Sequence, residues 1–351
     1  MLVIFSLFSM TVPSALAWKP PGAYNPPVIH GPTYTRDYSE YPSSITVECT
    51  VTWDPAAFQR YVWVYVDSTR YTMSYVYEGG SWKYKKTVNV NPWQSHNLYV
   101  KAREIIQYEY ISLETTSSIH NEPSLTHDSY SASGDKYAII LEFTPLEDKT
   151  DSSGQVRKGY WAHYNSWTSM KSEVAGSNFD YVYEFNIEWA ETAGEAGTAF
   201  ISHLNHFKDN TDSDDYVFVY IVSHGITTGL GWAGSLAVSW ASMNSALDNY
   251  DNERMTVVIE ACRSGAGIST LIDTNRLIIT ACGSDTDAYH IVTPDETQTK
   301  SLFTYNFLLY LSPTKSFAYA YYYASVACDG TQSPQLSVSM TTTLARMKLN
   351  C

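Results

Sequence analysis

Two stretches decide how this chain is read: Val219-Tyr-Ile-Val-Ser-His224-Gly225 and Val257-Val-Ile-Glu-Ala-Cys262-Arg-Ser-Gly265. Each is a nearly unbroken apolar run that ends in a reactive side chain. Apolar runs of this length signal strands buried on both faces, as in a parallel sheet. In open parallel sheets the loops at the carboxyl ends of the strands form the sites. An imidazole and a thiol at two such ends therefore point to chemistry rather than packing. A thiol attacks a carbonyl as the thiolate, and an adjacent imidazole promotes that form and later protonates the leaving amine. Gly225 and Gly265 permit close backbone approach, and the Gly225 and Cys262 amides are candidates to stabilise an oxyanion.

Outward from this pair, residues 136–325 alternate strand-like and helix-like segments. Strands are predicted at Tyr137–Phe143, Tyr181–Phe185, Tyr216–Val222, Thr256–Glu260 and Leu277–Ala281, with helices at 195–208, 239–249 and 300–311. This is the pattern of a mostly parallel α/β sheet flanked by helices. Earlier, the runs 44–52, 61–66, 71–77, 82–90 and 97–103 alternate with period two and are rich in aromatic and β-branched residues, and Gly79-Gly80 marks a hairpin. They predict an immunoglobulin- or fibronectin-like β-sandwich over 25–115. A polar linker is expected over 116–134, and the α/β domain over 135–351.

In combination, the strand running into Ser223-His224-Gly225, the second strand running into Glu260-Ala-Cys262-Arg-Ser-Gly265, and Leu277-Ile-Ile-Thr-Ala-Cys-Gly-Ser-Asp285 resemble the legumain family of caspase-like cysteine peptidases. Pro334-Gln335-Leu336 is similar to that family's last segment. The resemblance covers about 135–330 and implies His224 as general base and acid, Cys262 as nucleophile and the Gly225 amide as oxyanion donor. It implies a structural part for Glu260. Arg263 stands where the legumain motif has a glutamate of the asparagine pocket, so the family's substrate preference does not carry over. Ser284 and Asp285 resemble in position one pocket wall; Asp285 would favour a basic P1 residue and Arg263 an acidic one, and the sequence leaves both open. The activity implied is cysteine endopeptidase, with protein or peptide substrates and no cofactor or metal. An inactive binding protein and a peptide ligase using the same dyad are the alternatives.

Composition agrees with a folded protein of 351 residues, 44% hydrophobic and 17% charged, with 29 Tyr and 10 Trp. A net charge of −14 argues against nucleic acid as a partner. The apolar N-terminus ending Ala15-Leu16-Ala17 reads as a signal peptide over 1–17 and predicts a secreted protein, with membrane involvement only through export. The sandwich would then serve for surface or glycan attachment. Five cysteines are too few for a disulfide scaffold, and their odd number leaves a thiol free; whether Cys328 and Cys351 pair is left open. Cys282, directly after a strand, reads as core. His203 and His206 lack a third ligand for zinc, Asp209–Asp215 reads as a solvated loop rather than a calcium site, and the glycines at 225, 229, 231 and 234 lack the Lys-Ser/Thr of a phosphate loop.

Overall fold

A computed structural model describes residues 24–37, 43–106, 111–125, 133–145, 158–188, 190–292, 299–312, 314–340 and 342–349. The predicted signal peptide and Cys351 lie outside them. The chain forms two compact units.

Among the described residues the first unit contains nine strands: β1 Val28–Asp37, β2 Ser44–Thr52, β3 Ala57–Val66, β4 Thr69–Thr72, β5 Ser74–Glu78, β6 Ser81–Asn89, β7 His96–Ile106, β8 Ile111–Thr116 and β9 His120–Glu122. They make two sheets, ordered β1-β2-β6-β5 and β4-β3-β7-β8, with β9 added to β7. Alternation carries the core: Val62, Val64 and Val66 of β3 and Leu98, Val100 and Ala102 of β7 are buried. Gly79 and Gly80, with φ of 62° and 82°, form the two-residue turn between β5 and β6. Two local differences from the sequence reading stand out. The single run 71–77 is split at Met73, because β4 pairs with β3 while β5 pairs with β6, so the chain changes sheets there. The polar stretch read as linker carries β9, which pairs with β7 through Leu98–His120.

The second unit is α/β. Its sheet runs β11-β10-β12-β15-β16-β19, from β10 Lys136–Phe143, β11 Tyr181–Ile187, β12 Tyr216–Ile226, β15 Arg254–Glu260, β16 Arg276–Thr280 and β19 Gln335–Leu336. The first five are mutually parallel and β19 is antiparallel to β16. A hairpin, β13 Gly229–Trp232 and β14 Ser235–Ser239, extends from β12. Tyr216, Phe218, Tyr220 and Val222 face one core together with α1 (Lys158–Ala175), α5 (Leu302–Tyr310) and α6 (Phe317–Cys328). Val217, Val219 and Ile221 face the other, with α2 (Ala193–Leu204) and α3 (Trp240–Leu247). Every residue from Tyr216 to Val222 is completely buried, which is why β12 reads as an unbroken apolar run. The remaining elements are short: α4 Ile268–Leu271, β17 His290–Val292, β18 Thr299–Ser301 and α7 Thr343–Arg346. No helix among the described residues is long and apolar enough to cross a membrane.

Of the predicted helices, 195–208 is α2 ending at Leu204, 239–249 is α3, and 300–311 is α5 preceded by β18. α1 and α6 carry no sequence forecast. α6 reads Phe-Ala-Tyr-Ala-Tyr-Tyr-Tyr-Ala-Ser-Val-Ala-Cys and is buried over most of its circumference, so it shows no polar stripe from which a helical period could be read.

Candidate active site

Parallel register brings His224 and Cys262 to the same level. Val222 pairs with Glu260 across β12 and β15, and each reactive residue lies two positions beyond its member of that pair. The two loops then press together. A Cβ on Gly225 would lie 1.9 Å from the Cys262 carbonyl oxygen, a distance no side chain tolerates, so glycine is required at 225 by close approach. Ser223, buried, places its hydroxyl 2.9 Å from the carbonyls of Phe143 and His224 and fixes the end of β12 to β10.

Cys262 is partly exposed, and its sulfur accepts a hydrogen bond from the Ala288 amide at 3.2 Å. Burial pushes the thiol above its ordinary range. The charges of Asp287 and Glu260 push it further, while the Ala288 amide and Arg263 oppose them. Arg263 follows Cys262 in the left-handed region, φ 55°, a strained conformation for a side chain with a Cβ. Its amide donates to the Thr286 carbonyl at 2.8 Å, and its guanidinium stands 3.5 Å from the Asp287 carboxylate, both exposed.

Glu260 anchors the loop from below. Its carboxylate accepts from the Thr304 amide at 3.0 Å and from the Thr304 hydroxyl at 2.8 Å. Thr304 is in the first turn of α5, where amides lack intrahelical partners, so Glu260 caps that helix from another element. Tyr220 of β12 joins through its hydroxyl, 2.9 Å from the Thr304 hydroxyl. The strands bearing His224 and Cys262 are thereby tied to one helix terminus. Complete burial raises the Glu260 carboxyl to about 7 against the hydrogen bonds that lower it.

Of the residues predicted for the pocket wall, Ser284 and Asp285 are exposed, and the segment in contact with Cys262 and Arg263 is Thr286–Ala288. Nothing in the residue pattern distinguishes these neighbours. Gly265 donates its amide to the Cys282 carbonyl at 2.9 Å, and a Cβ there would lie 2.5 Å from the Gln335 side-chain oxygen. A cavity of about 730 Å³ lined by Thr286, Tyr321, Asp329, Gln332, Gln335 and Met340 opens on this side of the loop.

Sequence reasoning did not single out His163, on α1. Its ring stands edge-to-face with His224, centroids 5.0 Å apart, and its Nδ1 is 2.9 Å from the Thr144 hydroxyl. Elsewhere, His203 has its Nδ1 2.7 Å from the Tyr183 hydroxyl and stacks on Phe185, and His206 stacks on Tyr183, an aromatic arrangement rather than a ligand set. The carboxylates of Asp212, Asp214 and Asp215 approach within 4.8 Å of one another. Asp215 is buried and accepts from the Asp135 and Asp212 amides, which explains its place in the turn. Cys49, Cys282 and Cys328 are buried free thiols, pushed by burial to about 12, 11 and 12.

Residues 199–317, which include both reactive loops, match the Peptidase C13 family. No curated protein sequence matches the chain. Among solved structures, caspase-1 from Spodoptera frugiperda aligns at 13% identity and a TM-score of 0.40, over 64% of this chain and 91% of that one. Over residues 199–317 the second unit is thus similar to the cysteine peptidases of the Peptidase C13 family, the legumain family.

Proposed function

We propose that this chain is a secreted cysteine endopeptidase in which Cys262 attacks the peptide carbonyl and His224 transfers the proton. The observation that carries this reading is the packing of Gly225 against the Cys262 carbonyl at the level set by the Val222–Glu260 register. As the sulfur–carbon bond forms, the thiol proton passes to His224 and the carbonyl electrons move to oxygen, beside the Gly225 and Cys262 amides. Collapse of that intermediate breaks the carbon–nitrogen bond, and the amine leaves with the proton from His224. Water, deprotonated by the same imidazole, then cleaves the thioester and restores the thiol. A thiol raised by burial suits this concerted sequence, because its proton departs only when substrate is in place.

A peptide library incubated with the full chain, with products weighed by mass spectrometry, tests the reading. Fragments whose masses include one added water are expected, and Cys262→Ala abolishes them. Joined peptides would mark ligation instead. Neither product, together with no labelling of Cys262 by a thiol-reactive probe, sinks the enzyme reading. The same library reads the P1 preference that Arg263, Ser284 and Asp285 leave open; the Arg263–Asp287 pairing supports a pocket in which neither charge acts alone.

For the first unit the proposal is an immunoglobulin-like sandwich that attaches the enzyme to glycan-bearing surfaces. Support comes from the β5–β6 hairpin, where Tyr75, Tyr77 and Trp82 share one face and are each more than half exposed. Exposed rings of this kind offer flat apolar faces with polar edges. Glycan-array binding by the full chain, lost in Trp82→Ala with peptidase activity intact, is the expected result.

A further inference from the structure

We propose that His163, held by Thr144, positions the His224 imidazole; the idea rests on the peptidase reading and adds His163 and Thr144, which lie outside the family match at 199–317. Three observations converge on it. The His163 and His224 rings lie 5.0 Å apart at 65°, the edge-to-face geometry that aromatic rings favour and that fixes one ring plane relative to another. Thr144 is buried and brings its hydroxyl to 2.9 Å from His163 Nδ1, which fixes the rotation of that ring. Thr144 also follows Phe143, the partner of Ser223, so it sits level with His224 one strand away.

The mount is rigid. Within the next turn of α1, Trp167 donates to the Ile140 carbonyl at 3.1 Å, tying the helix to β10. Asn165 donates to the Thr299 carbonyl at 2.9 Å, and Ser166 accepts from the Ser301 amide at 2.9 Å, tying it to β18. His163 is therefore carried by a helix fastened on two sides, with its ring locked at a third point. A general base gains from such support because proton transfer depends steeply on the placement of the imidazole. Acting through the His224 ring, His163 is a positioning residue.

The test combines kinetics with nuclear magnetic resonance of the full chain carrying isotope-labelled histidine, His224 being assigned by its loss in His224→Ala. His163→Ala is expected to lower kcat roughly tenfold with KM nearly unchanged and to move the His224 ring resonances. Thr144→Val, which keeps the ring and loses the hydroxyl, shifts both in the same direction by less, and Thr144→Ser regains the wild-type values. Unmoved His224 resonances in folded His163→Ala and Thr144→Val overturn the proposal, whatever the rates do. Should His163→Ala fail to fold, the two Thr144 variants decide alone. If the wild type cleaves no peptide, the peptidase reading falls while the resonances still decide the positioning.

Discussion

Adjacent strands β15 and β16 end in the same way: Glu260-Ala261-Cys262 and Thr280-Ala281-Cys282. Both cysteines follow a buried strand by two residues, yet they live in different chemistry. The Cys282 sulfur is wholly buried and donates to the Ala261 carbonyl at 3.0 Å, and burial drives its thiol to about 11 against the opposing hydrogen bonds of Ser264. Cys262 is partly exposed, accepts from the Ala288 amide, and lies against the Gly225 loop. What separates the two cysteines is thus the partner on each side. Cys282 is followed by Gly283, whose amide donates to Thr286, and the chain turns away. Cys262 is followed by Arg263 in a left-handed conformation that redirects the chain, and it stays partly exposed.

The largest effect expected from this comparison is loss of peptide hydrolysis in Cys262→Ala, by at least roughly 10³-fold. Cys282→Ala retains activity and loses about 1 kcal/mol of stability, the cost of a small cavity. Equal losses of turnover in the two variants, measured on one fluorogenic peptide, would break the distinction. Next in size is Gly225→Ala. Its methyl group would meet the Cys262 carbonyl, so one loop must move, and kcat is expected to fall about 10²-fold, as a displacement of roughly 1 Å does to catalytic groups. Wild-type kcat in that variant would show that the approach is not needed.

The same contrast explains what the sequence could show. The apolar runs into His224 and Cys262 were legible because burial on both faces leaves no polar alternation, and the order of strands put the two ends side by side. The role of Arg263 as a turn was not legible, since its φ of 55° departs from what an arginine ordinarily adopts. Asp287 and Ala288 could not be preferred over Ser284 and Asp285, because the loop's path depends on the Thr286 side chain capturing the Gly283 amide. His163 was hidden in Tyr160-Trp-Ala-His-Tyr-Asn-Ser-Trp167, where aromatic and polar residues alternate without a helical stripe. In the first unit, Tyr71–Tyr77 alternates throughout, so nothing in its pattern marks the change of sheet at Met73.

Glu260 and Thr280, the residues two positions before each cysteine, sharpen the comparison through pH. Thr280 is neutral, its hydroxyl donating to the Cys282 carbonyl at 3.1 Å, whereas Glu260 titrates at about 7 in the fold against 4.5 ordinarily. Its pKa is raised, so between these values the native state keeps a proton the unfolded chain has released, and stability falls as pH rises. The loss is complete above pH 7 and amounts to about 3 kcal/mol at 1.36 kcal/mol per unit. Glu260→Gln keeps an acceptor for Thr304 without the charge. It should match the wild type near pH 4 and exceed it by that margin at pH 8 in urea unfolding. A constant difference between the two proteins across this range would show that the carboxyl is not the buried acid described.

The smallest effect concerns the thiol itself. Burial is the main reason its titration lies above the ordinary thiol range, and the Asp287 charge adds to it while Arg263 subtracts. Asp287→Asn should therefore move the pH dependence of Cys262 alkylation by iodoacetamide to lower pH, and Arg263→Ala should move it to higher pH. Both displacements are smaller than the one burial imposes, because the two groups are exposed and water screens them. The opposite signs are what make the measurement decisive: a change of loop shape in either variant would alter burial and drive the two profiles the same way. Cys282, wholly buried, remains unlabelled in both variants and serves as the internal reference.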